Sequence, residues 1–90
     1  MPRYLIERVT PGAAELTEVQ LAELARTSAK AAASLGVPYT WVTSYVAGDK
    51  IYDLHDAEDE EAILEHARRC GLPADVVAVV TSEFGPRASR

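Results

Sequence analysis

The sequence predicts an α+β domain with elements in the order β-α-β-β-α-β, forming one four-stranded antiparallel sheet with both helices on the same face. Three observations support this class. Several stretches are rich in the β-branched and aromatic residues typical of strands. Two other stretches carry apolar residues at helical spacing. A single very short connection joins the two middle strands, which therefore pair as a hairpin.

The first strand and the first helix have the clearest boundaries. Residues 3–9, RYLIERV, are predicted to form a strand that ends at the Pro-Gly turn of residues 11–12. Thr17 and Gln20 have the spacing of a capping box, in which each side chain bonds the backbone N–H of the other residue. The helix is predicted to begin there and to end before Gly36, which suits the left-handed conformation of a helix end.

The second and third strands are predicted to form the hairpin. Residues 39–47, YTWVTSYVA, are dense in β-branched and aromatic side chains. Residues 51–57, IYDLHDA, follow after the tight connection of residues 48–50. Such a connection joins antiparallel neighbours.

The second helix and the last strand complete the order. The acidic run of residues 56–61 and the arginines at 68–69 place negative charge at the start of the predicted helix and positive charge at its end, as the helix dipole favours. Residues 75–84, DVVAVVTSEF, predict the final strand, and residues 86–90 a flexible tail. Residues 1–85 are therefore predicted to form a single ferredoxin-like domain.

The sheet face opposite the helices is predicted to be apolar and covered. Valines occupy both faces of the last strand, and Trp41 and Tyr45 share one face of the second. An apolar patch of that size typically marks an interface. We therefore expect a homodimer through the open sheet face, with a cavity between the two sheets, as in dimeric α+β barrels.

Composition and charge exclude several classes of function. The apolar fraction of 48% and the charged fraction of 26% are ordinary for a globular domain. A net charge of −5 with scattered basic residues disfavours nucleic acid as a partner. The sequence has no apolar run of the roughly 20 residues that span a bilayer and no signal-peptide core. We therefore expect no membrane partner and a cytoplasmic location.

Alternation along the strands predicts a polar centre on the open face. It places Glu7 there, beside Asp53 and His55 of the hairpin, with Trp41 and Tyr45 alongside to stack a small aromatic substrate. The complementary residues predicted to face the helices are Val42, Val46, Tyr52 and Leu54. Carboxylates and an imidazole in an apolar cleft suit a metal or a substrate. The alternative is that Asp53 and His55 lie in solvent near a strand end.

His66 is predicted to point at or beside the core, because it shares a helical stripe with Ile63, Ala67 and Cys70. Two interpretations remain open. The ring is either a neutral core imidazole with a hydrogen-bond partner or a metal ligand that overhangs the sheet edge. Cys70 is expected to be a small core residue, since the C-terminal end of a helix disfavours a thiolate.

Three stretches carry a resemblance to a known family: YLIERVTPG, SYVAGDKIYDLHDAEDEEAILEHARRCGLPAD and the valine strand that follows. Together they resemble a family of small bacterial domains of unknown function, some of which are described as nickel-binding proteins. The resemblance covers nearly the whole chain and implies a ferredoxin-like fold, dimerisation and a Ni²⁺ cofactor. Glu7 and His66 lie within the matching stretches, whereas His55 falls where the family often carries another residue.

Three functions therefore remain open. The first is a small metal-binding protein with nickel as its metal and ligands from the set Glu7, Asp53, His55 and His66. The second is a cofactor-poor oxygenase or isomerase, in which the aromatic side chains of the second strand stack the substrate and a histidine moves the proton. The third is a dimeric interaction module without a ligand.

Overall fold

The computed structural model describes residues 1–86 and confirms the predicted order of elements. The strands are β1 (Arg3–Val9), β2 (Tyr39–Ala47), β3 (Lys50–Ala57) and β4 (Val76–Val79), and the helices are α1 (Glu18–Ser34) and α2 (Glu60–Cys70). Within the described residues no helix is both long and apolar enough to cross a bilayer. Residues 87–90 of the predicted tail lie outside the described part of the chain.

Both helices begin at capping residues. The Gln20 backbone N–H donates to Thr17 Oγ1 at 3.2 Å, and the Thr17 backbone N–H donates to Gln20 Oε1 at 2.9 Å, which confirms the predicted capping box. Asp59 caps α2 by accepting a hydrogen bond from the Ala62 backbone N–H at 3.0 Å. Gly71 ends α2 at a φ of 72°, a conformation in which glycine avoids the strain of a side chain.

The four strands form one antiparallel sheet in the order β2-β3-β1-β4, the ferredoxin-like arrangement. β4 is shorter than the predicted strand of residues 75–84. The register pairs Tyr4 with Val79, and the Val80 N–H donates to the Arg3 carbonyl at 2.8 Å. Because β1 begins at Arg3, the chain after Val80 has no strand left to pair with.

The structure reverses the predicted faces of β3. Tyr4 pairs with His55, and Glu7 pairs with Tyr52. Paired residues share a face of the sheet, and Tyr4 belongs to the hydrophobic core. His55 and Asp53 therefore face the helices, while Tyr52 faces the open side with Glu7. The prediction that Asp53 and His55 lie on the open side is wrong. The solvent-exposed alternative is wrong too, because their exposed fractions are 5% and 0%.

A β-bulge at Val42 explains a second reversal. Val42, predicted to face the helices, has no partner in β3, and its neighbours Trp41 and Thr43 pair with β3 residues on opposite faces. Trp41 consequently faces the helices instead of the open side. Tyr45 lies beyond the bulge and keeps its predicted position on the open face. Alternation fails here because one extra residue shifts its phase.

The open face, meaning the side of the sheet away from the helices, is largely apolar, as predicted. Its side chains include Leu5, Val9, Thr43, Tyr45, Tyr52, Leu54 and Val76. Leu5, Tyr45 and Val76 are 40%, 59% and 48% exposed. An apolar surface of this kind is typical of an interface. Homodimerisation through it stays a prediction.

Candidate functional site

A group of polar side chains is buried between the helices and the sheet. Its five most buried members are at most 7% exposed, namely Arg8, Ser28, Asp53, His55 and His66. Tyr39 and Cys70 adjoin them and are half-buried. We call these seven residues the buried polar cluster. Buried polar groups cost free energy unless they are hydrogen-bonded, so their partners determine what the cluster can do.

Asp53 is the centre of the cluster. Its Oδ2 accepts a hydrogen bond from Arg8 Nε at 3.1 Å and lies 3.2 Å from His55 Nε2, while Arg8 Nη1 donates to the Pro73 carbonyl at 2.7 Å. Burial is the largest influence on the Asp53 pKa and raises it. The hydrogen bond from His55, the nearby Ser44 hydroxyl and the charge of Arg8 together outweigh burial and hold the pKa below 3.8. The carboxylate is ionised and only accepts, so His55 Nε2 is a donor.

Two atoms of this ion pair, Asp53 Oδ1 and Arg8 Nη2, have no hydrogen-bond partner among residues 1–86. Ser44 lies opposite Asp53 in the β2–β3 pair and accepts a hydrogen bond from Trp41 Nε1 at 2.8 Å. Its hydroxyl influences the Asp53 pKa without completing a hydrogen bond to Oδ1. A buried acceptor without a partner costs about 1–3 kcal/mol. A donor from a bound molecule would therefore be favoured at Oδ1.

Three rings of the cluster contact one another. The Tyr39 hydroxyl lies 2.5 Å from His55 Nδ1. Burial raises the Tyr39 pKa, so the phenol keeps its proton and forms a hydrogen bond with Nδ1. Tyr39 also stacks on His66, with ring centroids 4.9 Å apart and an interplanar angle of 11°. Hydrogen bonds thus engage both ring nitrogens of His55.

His66 is bonded to the backbone of α1. Its Nε2 lies 3.0 Å from the Ser28 carbonyl oxygen, which only accepts, so Nε2 carries the proton. Burial lowers the His66 pKa below 6.5 and favours the neutral ring. The lone pair of Nδ1 is then free, and Cys70 Sγ lies 3.7 Å from Nδ1 and 3.6 Å from Nε2. Burial raises the pKa of the Cys70 thiol, which keeps its proton. The expectation that His66 points at the core is confirmed.

A cavity of about 380 Å³ lies beside the cluster, between α1 and the sheet. Its walls include Leu21, Leu24, Trp41, Ile51, Leu72 and Asp53, and we call it the α1 cavity. The volume is within the range of small-molecule sites. His55 is absent from the lining and is 0% exposed, so it lies behind Asp53.

The structure separates the sequence-predicted metal ligands. Asp53, His55 and His66 come together beneath the helices. Glu7 lies on the opposite side of the sheet, where the Lys50 ammonium is 3.4 Å from its Oε2. A site that joins Glu7 to the histidines of the same chain is therefore excluded by the strand register.

Sequence reasoning missed three members of the cluster, of which Arg8 had a readable signal. Arg8 follows Ile6 by two residues, so alternation alone places it on the helix-facing side of β1. An arginine is almost never fully buried unless it is paired. That combination points to a buried carboxylate, and Asp53 is the one that meets it. Ser28 shares the apolar helical face of Leu21 and Leu24, which indicates burial but no partner, and Tyr39 carries no comparable signal.

The cluster contains the types of donor atom that bind a transition metal, but too few of them converge on one point. Imidazole, thiolate and carboxylate are all nickel ligands. In the described part of the chain, however, no three His, Cys, Asp or Glu side chains converge into a metal site. The available pair is His66 Nδ1 and Cys70 Sγ, 3.7 Å apart. Bonds from a metal to nitrogen and to sulfur are about 2.0 and 2.3 Å long, and Sγ is as close to Nε2, at 3.6 Å, as to Nδ1. One ion would therefore contact both atoms only after the Cys70 side chain rotates toward Nδ1.

Comparisons with known proteins agree with this fold. The profile of a family described as "Nickel responsive protein SCO4226-like" matches residues 4–80. The crystal structure of SCO4226 from Streptomyces coelicolor A3(2) is similar to this chain, with a TM-score of 0.74 and 19% sequence identity over 90% of this chain and 98% of that chain. At that identity the likeness concerns the fold alone. No curated protein matches the sequence significantly.

Proposed function

Because the chain belongs to the family of SCO4226-like nickel responsive proteins, we propose that it binds Ni²⁺ as a non-enzymatic metal-binding protein, with His66 and Cys70 as ligands. One observation carries the choice of residues. Of the two histidines in the sequence, His66 is the one with a ring nitrogen that no oxygen engages. Water would supply the remaining ligands, because the predicted dimer interface lies on the opposite side of the sheet.

The surroundings of His66 support this choice. Histidines that bind metals almost always donate their other ring N–H to a carboxylate, a backbone carbonyl or water, which fixes the tautomer. The Ser28 carbonyl does this for Nε2 of His66. His66 and Cys70 are four residues apart on α2, so both side chains lie on the same side of the helix. The pair is therefore oriented by the helix itself.

Proton balance predicts how this binding depends on pH. A metal binds neutral imidazole and thiolate, so ligands that carry protons must release them. His66 is already favoured in its neutral form, whereas the Cys70 thiol must lose a proton when nickel binds. Nickel affinity is expected to fall as the pH is lowered, and binding at neutral pH is expected to release protons.

Calorimetric titration of untagged protein with NiCl₂ tests the proposal. Cys70→Ser removes the sulfur donor with almost no change in size, and His66→Asn removes the nitrogen donor. Each should weaken nickel binding by at least about ten-fold, which is the smallest loss seen even for residues that only orient a metal ligand. Thermal melts of the same variants separate loss of binding from loss of fold.

His55→Asn is the matched control, because it removes the other histidine. If it folds, it should keep most of the nickel affinity, since both nitrogens of His55 are engaged in hydrogen bonds. If His55→Asn does not fold, the nickel affinity of Cys70→Ser alone tests the proposed ligands, because this substitution hardly changes the size of the side chain. Equal nickel affinity in wild type, His66→Asn and Cys70→Ser would refute the proposed ligands.

A catalytic role for the Asp53–His55 pair has less support. A general base must lie within hydrogen-bond reach of the proton that it removes. His55 is 0% exposed and does not line the α1 cavity. A molecule in that cavity would meet Asp53 and not the imidazole. This arrangement gives His55 no direct contact with a molecule in the α1 cavity.

A further inference from the structure

The α1 cavity is apolar except at one end. Leucines of α1 and Leu72 form one wall, while Trp41 and Ile51 of the sheet form another. The polar end is built by Asp53 with the side chains of Ser28 and Ser44. Apolar walls with a few convergent polar groups are typical of sites for small organic molecules.

The polar end offers an acceptor for a hydrogen bond. Arg8 and His55 both bond Oδ2 of Asp53, and Oδ1 has no partner within residues 1–86. Oδ1 has almost no exposed surface, so bulk water does not reach it, and a ligand must displace a lining side chain to do so. An ionised carboxylate donates nothing. The complementary group on a ligand is therefore an O–H or N–H donor.

The charges beside the cavity argue against a cationic ligand. The carboxylate of Asp53 is already neutralised by the guanidinium of Arg8, 3.1 Å away, and neither group is open to solvent. An ammonium group would add an unbalanced charge in an apolar site, which is costly. A neutral donor such as a phenol or an alcohol adds none.

We propose that the α1 cavity binds a neutral aromatic molecule with one hydroxyl group, which donates its hydrogen to Asp53 Oδ1 while its ring lies against Trp41. Trp41 is suited to this role because Ser44 fixes its indole through Nε1. The binding site adjoins the His66–Cys70 pair through Ser28 but includes neither residue, and the proposal does not depend on nickel binding.

Three probes of similar shape test the class of ligand: 4-propylphenol, its methyl ether 4-propylanisole, and 4-propylbenzylamine, which is cationic at neutral pH. Titrations are followed by ¹H–¹⁵N correlation spectra of the whole protein. The phenol should shift amide signals of α1 and β2 around the cavity. It should bind about ten-fold more tightly than the ether, because a hydrogen bond to a charged acceptor is worth about that factor. The amine should bind more weakly than the phenol.

Two variants with a matched control locate the site. Ala25→Phe fills the cavity, which Ala25 lines, and should abolish binding of both the phenol and the ether. Ala22→Phe places the same side chain at an exposed position of the same helix and should leave binding unchanged. Asp53→Asn should reduce the preference for the phenol over the ether. If Asp53→Asn does not fold, Ala25→Phe still tests whether the ligands bind in the cavity.

The proposal is overturned by any of four results. These are no phenol binding at millimolar concentration, signal shifts that map away from α1 and β2, equal affinities for the phenol and the ether, or tighter binding of the amine. The last result would mean that Asp53 recognises a cation despite Arg8.

Discussion

Arg8 and Asp53 form an ion pair from which solvent is excluded, with Nε and Oδ2 3.1 Å apart and side chains that are 0% and 7% exposed. The two residues lie on neighbouring strands, 45 positions apart in the chain. Desolvation of two charges offsets much of their mutual attraction. The pair therefore contributes less to net stability than to fixing which side of β3 faces the helices.

Breaking this pair from one side should be strongly destabilising. Arg8→Met leaves the Asp53 charge buried without its partner, and we expect a loss of about 3–5 kcal/mol in the free energy of unfolding. The double variant Arg8→Met/Asp53→Leu removes both charges and should be clearly more stable than Arg8→Met alone. Urea denaturation of the single and double variants measures both effects. A double variant less stable than Arg8→Met would contradict this account.

Acid should weaken the same pair. The folded-state pKa of Asp53 lies below 3.8, its value in the unfolded chain, so the unfolded state binds the proton more readily. The stabilisation is therefore fully present above about pH 4 and is lost as the pH falls through the folded pKa. Unfolding free energies between pH 3 and 7 should fall more steeply for wild type than for Arg8→Met/Asp53→Leu. Parallel curves would show that the pKa of Asp53 is the same in the folded and unfolded states, which would contradict this account.

The capping box of α1 should make a measurable contribution to stability. Thr17→Ala removes the oxygen that accepts from the Gln20 N–H and should cost about 1 kcal/mol. Thr27→Ala is the control, since Thr27 is exposed in the same helix and alanine favours helices. It should cause no loss. If the two variants unfold at the same denaturant concentration, the cap is not needed to start α1.

The open face should mediate a homodimer. Tyr45→Asp would bury an unpaired charge there and should dissociate the dimer, because Tyr45 is 59% exposed on that face. Val19→Asp changes an apolar residue of α1 that is 68% exposed and does not belong to the open face, and should leave the dimer intact. Sedimentation velocity at tens of micromolar measures both. A wild-type protein that sediments as a monomer would contradict the predicted homodimer.

Element order and most boundaries could be predicted from the sequence because their signals are local. The Thr17–Gln20 spacing placed the start of α1, and Gly71 at the end of α2 adopts the left-handed conformation that glycine favours. The length of β4 could not be predicted from its valines. It depends on where β1 begins, which is a property of the pairing and not of the segment.

The candidate site was predicted only in part because its residues contradict local polarity rules. Asp53 and His55 were predicted to lie on the open face, with Tyr52 facing the helices. Arg8, far away in the sequence, reverses this assignment by compensating the buried carboxylate. The position of His66 was predictable from its helical stripe, whereas its bond to the Ser28 carbonyl depends on how α1 packs against α2.

The extra residue at Val42 means that the two halves of β2 obey opposite alternation rules, and this matters when related chains are aligned. A relative that lacks this residue would keep both the tryptophan and the serine in their present pairings, with the serine two positions after the tryptophan instead of three. Gap placement at this single position would then decide whether an aromatic residue is assigned to the cavity wall or to the opposite surface. In relatives that share the extra residue, a tryptophan at this position should donate a hydrogen bond to a serine three residues later, as Trp41 does to Ser44.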